Sequence, residues 1–410
     1  MKRSTRIGLL AVACVLILLL MARWYAGHRP VAPVVPPAPP AGAGTGQPLF
    51  GNIDAAAVPV PVSARRQLLD RYRLADHTLC SYEQASQYPP GSRPMAQNAD
   101  QAYPSQPVLE ANAMRRNDGG TDARVLLQTS QSRVHMASGE AVAFSLRAVD
   151  AQGATQPLVI TRAVAAGLSY GGARPNAPVT VPFTDDGAGA DPVAGDGAYA
   201  GVLAPAYALA GFDGTIRTVV DYSVNGKSGW VAFDVIYSPT VPAVWTGAVR
   251  EARENGSLNF YLKVDVRMAG RYIVSGRVDD AQGAPFALLT FNDLLPAGPN
   301  EVKLTTFGKL LRDGAPAQPL TLRDVDGYLL RENRDPDRAM MPRLEGSVAT
   351  SRQYPADSFS DAPYDGEERT RYLAEFGRDV AQAREALQRD DPTAALPVSA
   401  CPPFRARPAR

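Results

Sequence analysis

From Arg124 to Thr350, short runs of β-branched and aromatic residues alternate with Gly, Pro, Asn and Asp. That is the punctuation of strands and tight turns, and it constrains this chain more than any other feature. The 35 Gly and 36 Pro among 410 residues are too many for a helix bundle and lack collagen's three-residue period. In the first half of the segment the runs predict strands at Val125–Gln128, Ala141–Val149, Leu158–Ala163, Val179–Phe183, Tyr199–Leu203, Ile216–Val224 and Gly229–Tyr237. Val142, Phe144, Leu146 and Ala148 fall on alternate positions, the mark of a half-buried strand. Asn225-Gly226 between two runs is a hairpin turn. This density of strands predicts an immunoglobulin-like sandwich, without the Cys…Trp…Cys spacing of antibody domains.

Ser238-Pro239-Thr240-Val241-Pro242 interrupts the pattern and reads as a link between domains. A second set of strands is expected at Val244–Arg250, Ser257–Val266, Arg271–Asp279, Phe286–Asn292, Glu301–Thr306, Leu320–Arg331 and Leu344–Thr350, with a hairpin at Asn255-Gly256. Val149-Asp150-Ala151-Gln152-Gly153-Ala154 is echoed by Val278-Asp279-Asp280-Ala281-Gln282-Gly283-Ala284, each following a strand and each able to turn at Gln-Gly. The fold class is therefore mainly β: two tandem immunoglobulin-like β-sandwiches, flanked by an N-terminal transmembrane helix and a C-terminal amphipathic helix.

The N-terminal expectation rests on an apolar run from Ile7 to Ala22, preceded by Lys2, Arg3 and Arg6 and followed by Arg23, Trp24 and Tyr25. The aromatic pair can sit at headgroup level and Arg23 can snorkel, so residues 7–25 suffice to cross the inner membrane. Trp24 is a poor residue at the −3 position of a cleavage site before Gly27, which favours an uncleaved anchor over a removed signal. The basic flank stays in the cytoplasm, and the bulk is exported to the periplasm. Cys14 forms only a faint lipobox inside the run, which speaks against a lipoprotein. From Pro30 to Pro40, six of eleven residues are Pro, a polyproline stalk or a disordered spacer. Residues 1–29 hold five of the 42 Lys and Arg and none of the 41 Asp and Glu, leaving a mildly acidic body. That balance argues against nucleic-acid binding.

After the stalk, Ser63 caps a short helix over Ala64–Leu74, and the Pro-rich stretch from Ser81 to Asn112 reads as an extended strap across a later domain or as further linker. Near the C-terminus, Gly366–Gln388 reads as an amphipathic helix whose Tyr372, Phe376, Val380 and Leu387 dock onto a sandwich. The organisation that follows is a basic flank and anchor (1–29), a stalk (30–48), helix and strap (49–122), two sandwiches (123–240 and 241–355) and a C-terminal helix and tail (356–410).

Enzyme signatures are missing. The three His are His28, His77 and His135, none in HExxH, and there is no P-loop, dinucleotide fingerprint or CxxC. Asp279-Asp280 and Glu367-Glu368 read as solvated turn and first-turn charges. The sequence names no catalytic or cofactor-binding residue, and the expectation is a non-enzyme. Cys80 and Cys401 are the only Cys outside the apolar run, and in an oxidising compartment an even pair predicts one disulfide. The densest constellation is Asp185 to Gly197, with four Asp and four Gly in 13 residues between two strands. Asp185, Asp186, Asp191 and Asp196 are candidate ligands for calcium, which takes six to eight oxygens. The alternative is a loop whose Asp side chains cap their own backbone.

The stretch Asp185 to Gly201, D-D-G-x(3)-D-P-x-A-G-D-G-x-Y-x-G, resembles a signature of bacterial choice-of-anchor X domain proteins. The resemblance implies an exported β-rich protein displayed through one of several anchoring devices, and it supplies no catalytic residues. The function expected is a membrane-anchored envelope protein that binds, scaffolds or braces an envelope protein or glycan. The alternatives are an accessory module or hydrolase acting on envelope glycans, or a partner subunit of a secretion or surface-assembly system.

Overall fold

The computed structural model describes residues 64–390 apart from 169–176 and 206–208, together with 392 and 395–399. The anchor at 7–25, the stalk, Ser63 and Cys401 lie outside the described residues. The protein is mainly β, built from several antiparallel sheets. In chain order the elements begin with helix α1 (Ala64–Ala85) and strand β1 (Ser92–Pro94). Then come β2 (Val108–Arg115), β3 (Thr121–Gln131), β4 (His135–Ala137), β5 (Val142–Val149), β6 (Leu158–Gly167), β7 (Val179–Thr180), β8 (Phe183–Thr184), β9 (Tyr199–Leu203), β10 (Gly214–Val224) and β11 (Lys227–Ser238). These ten strands form two five-stranded sheets, ordered β2-β3-β5-β9-β8 and β4-β11-β10-β6-β7.

The two sheets share one core. Val142, Phe144 and Leu146 of β5 meet Ile216, Tyr222 and Val235 of the other sheet, and Phe144 stacks on Phe233 at 4.7 Å. The alternation read from β5 is the burial observed. At the β10–β11 hairpin Asn225 and Gly226 take φ of 51° and 76°, as a tight two-residue turn requires. The single strand expected at Val179–Phe183 is two: β7 pairs β6 in one sheet, and β8 pairs β9 in the other. Pro182, which has no N–H for a ladder, stands at that crossing. β2 was expected to belong to the strap, but it pairs with β3, so this sheet pair starts at Val108 and not at residue 123.

The second sheet pair comprises β12 (Ala243–Trp245), β13 (Arg250–Glu254), β14 (Ser257–Val266), β15 (Gly270–Asp279), β16 (Pro285–Leu295), β17 (Gly298–Thr306), β18 (Thr321–Leu330), β19 (Arg338–Met340) and β20 (Leu344–Thr350). A short helix, α2 (Gly308–Gly314), lies between β17 and β18 and had no sequence signal. One sheet runs β1-β16-β15-β18-β19 with β20 also on β18; the other runs β12-β14-β13 with β17 on the far side of β14. Leu258, Phe260 and Leu262 of β14 face Tyr272, Val274 and Leu322 in its core. The expected strand Val244–Arg250 breaks into β12 and β13, with Gly247 between them at φ 73°. The two echoed turns have the same construction: Asp150 Oδ1 accepts the N–H of Gln152 and Ala154, and Asp280 Oδ1 accepts those of Gln282 and Ala284, all at 2.9 Å.

Residues 88–105 cross the second pair. Tyr88 joins its core, Met95 is buried, and β1 extends its sheet at the edge of β16. Gly91 is needed there, because a Cβ would stand 2.6 Å from the Thr290 carbonyl oxygen. Arg277, only 2% exposed, sends Nε to the Gln101 carbonyl at 3.1 Å and Nη1 to the Asp324 carbonyl at 2.8 Å, and pairs with Asp326. Arg323 holds the next strap carbonyl, Ala102, at 2.8 Å and pairs with Asp279 and Asp324. Asp279 is therefore an ion-pair partner and not the solvated turn charge expected. The two sheet pairs meet through Ser238 Oγ to the Arg338 carbonyl (2.9 Å), Arg331 to Asp213 (3.0 Å) and Arg133 to Glu345 (3.0 Å).

Helix α1 runs eleven residues past the expected Leu74, because Leu79, Cys80 and Tyr82 continue its apolar stripe and no Pro intervenes before Pro89. His77 thus lies within α1 and not after it. The last helix, α3 (Glu367–Asp390), does not dock on a sheet pair as expected. It packs on α1, with Tyr82 edge-on to Tyr372 at 5.6 Å and to Phe376 at 5.3 Å, and with Ala383 and Leu387 buried. Apolar residues at spacings of three and four on each helix supply the seam of an antiparallel pair.

Candidate functional site

The Asp/Gly loop connects β8 to β9 at the edge of the first sheet pair. Its glycines are required by backbone shape: Gly187, Gly189, Gly195 and Gly197 all have φ between 63° and 81°. Asp185 clamps the far side of the loop, accepting Gly195 N–H at 2.7 Å and Gly197 N–H at 3.0 Å. Asp191, 2% exposed, accepts Gly187 N–H at 2.7 Å and Val193 N–H at 3.3 Å. Asp186 and Asp196 each cap the amide two residues on, at 3.0 and 2.9 Å.

Three of the four predicted ligands converge. Asp185, Asp191 and Asp196 each offer a carboxylate oxygen within 4.8 Å of the others, while exposed Asp186 stands outside the group. All four carboxylates already accept backbone N–H bonds, which offset their repulsion and fix the turn. Because this amide clamp accounts for the loop by itself, the protein is expected to melt at the same temperature in millimolar calcium as in chelator. Calcium-dependent heat in titration, or a rise in melting temperature that Asp191→Asn abolishes, would assign the cation instead.

Other predicted positions are dispersed. His135 begins β4 at the junction of the sheet pairs, where burial first, then Arg338 and Arg343, hold its pKa below the ordinary histidine value. The Asp337 carboxylate acts on the same ring in the opposite direction and is outweighed. Exposed His77 lies within 3.5 Å of Ser81 on α1. Cys80 is disulfide-bonded, and Ser399 of the tail donates to Asp76, one turn away on α1, at 2.8 Å. The expected partner Cys401 is two residues beyond Ser399 in sequence and outside the described residues.

A polar notch on the outer face of β13, β14 and β17 had no signal in the sequence. It encloses about 340 Å³ between that face, Pro89–Ser92 and Tyr364, and its floor includes Asn259, 1% exposed. Asn259 lies opposite the core-facing Leu258 and Phe260 on β14, so a period-two pattern places it outside. Its burial comes from chain segments distant in sequence.

No protein-family model matches the chain, and no curated protein matches it. Among solved structures it is similar to a DUF4785 family protein from Legionella pneumophila, at 14% identity and a TM-score of 0.37, over 55% of this chain and 57% of that one. It is also similar to Escherichia coli alpha-2-macroglobulin, at 14% identity and a TM-score of 0.25, over 59% of this chain and 15% of that one. A DUF3823 family protein from Bacteroides ovatus matches at 12% identity and a TM-score of 0.19, over 49% of this chain and 96% of that one. At these scores the likenesses carry no argument about activity. Among the described residues no helix is long and apolar enough to cross a membrane.

Proposed function

We propose that this chain is a bacterial envelope protein held in the inner membrane by residues 7–25, with two immunoglobulin-like sandwiches displayed on the periplasmic side in a non-enzymatic binding or scaffolding role. The observation that carries the reading is the disulfide at Cys80, which belongs to an oxidising compartment. The basic flank and apolar run supply the route out of the cytoplasm, and the loop's resemblance to choice-of-anchor X proteins points the same way. The body suits a bracing part, because its two sheet pairs are joined by ion pairs and hydrogen bonds and the strap is latched by two arginines.

Protease added to spheroplasts tests the topology. The account expects residues 64–390 to be reached in spheroplasts and protected in intact cells. Full protection in spheroplasts would place the body in the cytoplasm and end the reading. A second reading, an accessory module for envelope glycans, is favoured by the notch around Asn259.

A further inference from the structure

We propose that the notch between the outer face of β13–β14–β17 and Tyr364 is a saccharide-binding site. This rests on the reading of the body as a binding module and names the class of ligand.

The first argument is an amide with an unmet hydrogen bond. Thr305 donates to Asn259 Oδ1 at 2.8 Å, while Nδ2 is buried and has no hydrogen-bond partner among the described residues. Reversing the amide only moves the vacancy to the oxygen. A buried amide left half-paired is costly, and because Nδ2 is closed off from solvent, a ligand oxygen would complete it once the side chain turns toward the notch.

The second argument is the chemistry of the walls. Glu254 presents a carboxylate that is oriented by the Tyr261 hydroxyl, and the Tyr261 ring is itself covered by Arg250 at 3.9 Å. Lys303 lines the same side, so the notch carries both signs of charge and selects neither an anion nor a cation. Phe307 and Tyr364 stand edge to face at 6.4 Å and supply flat apolar surface. Hydroxyl, amide and carboxylate groups beside aromatic faces match a ring that has an apolar face and a rim of hydroxyls. The volume of about 340 Å³ lies at the small end of ligand sites and admits about one or two pyranose rings.

The third argument is preorganisation. The walls come from segments far apart in sequence, and hydrogen bonds fix them: Phe307 N–H to Ser92 Oγ (2.9 Å), Tyr364 N–H to the Gln87 carbonyl (2.9 Å) and Ser360 N–H to the Gly256 carbonyl (2.9 Å). A cavity framed in this way need not order itself around a ligand.

Full-length protein in detergent, titrated with chitotriose and with maltotriose and followed by saturation-transfer NMR, tests the assignment. At least one of the two is expected to bind in the millimolar range or tighter. Asn259→Leu should weaken that binding by about tenfold or more, the equivalent of one lost hydrogen bond. Because Asn259 is buried, Tyr364→Ala on the half-exposed wall provides the second variant, and it too should weaken binding. Absence of binding by both sugars, or binding that survives both substitutions, overturns the site. A chain that binds neither sugar yet exposes residues 64–390 to protease in spheroplasts retires the notch and leaves the anchored reading standing. A sugar-binding chain with a cytoplasmic body does the reverse.

Discussion

Replacing Arg277 with methionine is expected to cost about 2–3 kcal/mol of stability, mainly from buried carbonyls left without a donor, because the Asp326 side chain is 29% exposed and can be hydrated. The guanidinium is closed in by β15, β18 and the strap. It pairs with Asp326 and satisfies two carbonyls, one on Asp324 and one on Gln101. Methionine fills the volume but leaves Asp326 with an unmatched charge and the two carbonyls without a donor. Lysine keeps the charge but lacks the planar fork that serves Nε and Nη1 at once, so Arg277→Lys should recover little. Part of the loss should be local, with faster protease nicking in the strap around residues 96–107. Pairing Arg277→Met with Asp326→Leu should recover part of the stability, because the orphaned charge is gone. Denaturant midpoints for the three variants decide it, and a methionine variant with an unchanged midpoint would contradict this account of the latch.

Reduction is expected to loosen the helical pair before either sheet pair. A bridge from Cys80 to Cys401 would close a loop of about 320 residues, and crosslinks of this kind are typically worth about 2–4 kcal/mol. The helices depend on it more than the sheets do. α1 buries only Tyr72 and Cys80, and α3 only Ala383 and Leu387, so their seam is short of apolar area. Helical circular dichroism should therefore fall at a lower temperature in reductant, while the sheet transition moves less. Non-reducing peptide mapping should recover the Cys80 and Cys401 peptides as one species. Alkylation of both thiols in freshly purified protein would contradict the pairing.

How far the fold could be read depended on whether a strand's environment is written in its own residues. β9, β14 and β20 have the ends their sequences predict, because turn residues bound them; β14 also alternates in its second half, whereas β20 buries no residue. β13, Arg-Glu-Ala-Arg-Glu, has no apolar alternation to read, and β2 buries only Met114 at the sheet edge. Neither could be distinguished from a loop. Arg277 lies on the outer face of β15, opposite the core-facing Tyr272, Val274 and Val278, and the strap at Gln101 closes over it, a cover that leaves no periodic trace in β15. The C-terminal stripe was legible as an apolar face, but its partner was not, since the end of α1 had been assigned to the strap.

The candidate sites divide in the same way. The Asp/Gly loop is visible in sequence because its function in the turn is local: each carboxylate is bonded to amides within twelve residues of itself. The Asn259 notch is invisible because its walls are assembled from residues near 90, 259, 305 and 364. One asparagine in a strand carries no signal until the fold brings those segments around it.

The central claim is an uncleaved anchor holding an exported body, and mass spectrometry of the N-terminus of protein recovered from the membrane fraction tests it most directly. The account predicts a chain that stays with the membrane after a high-salt wash and retains residues 7–25. A soluble periplasmic form beginning between Ala22 and Gly46 would contradict it.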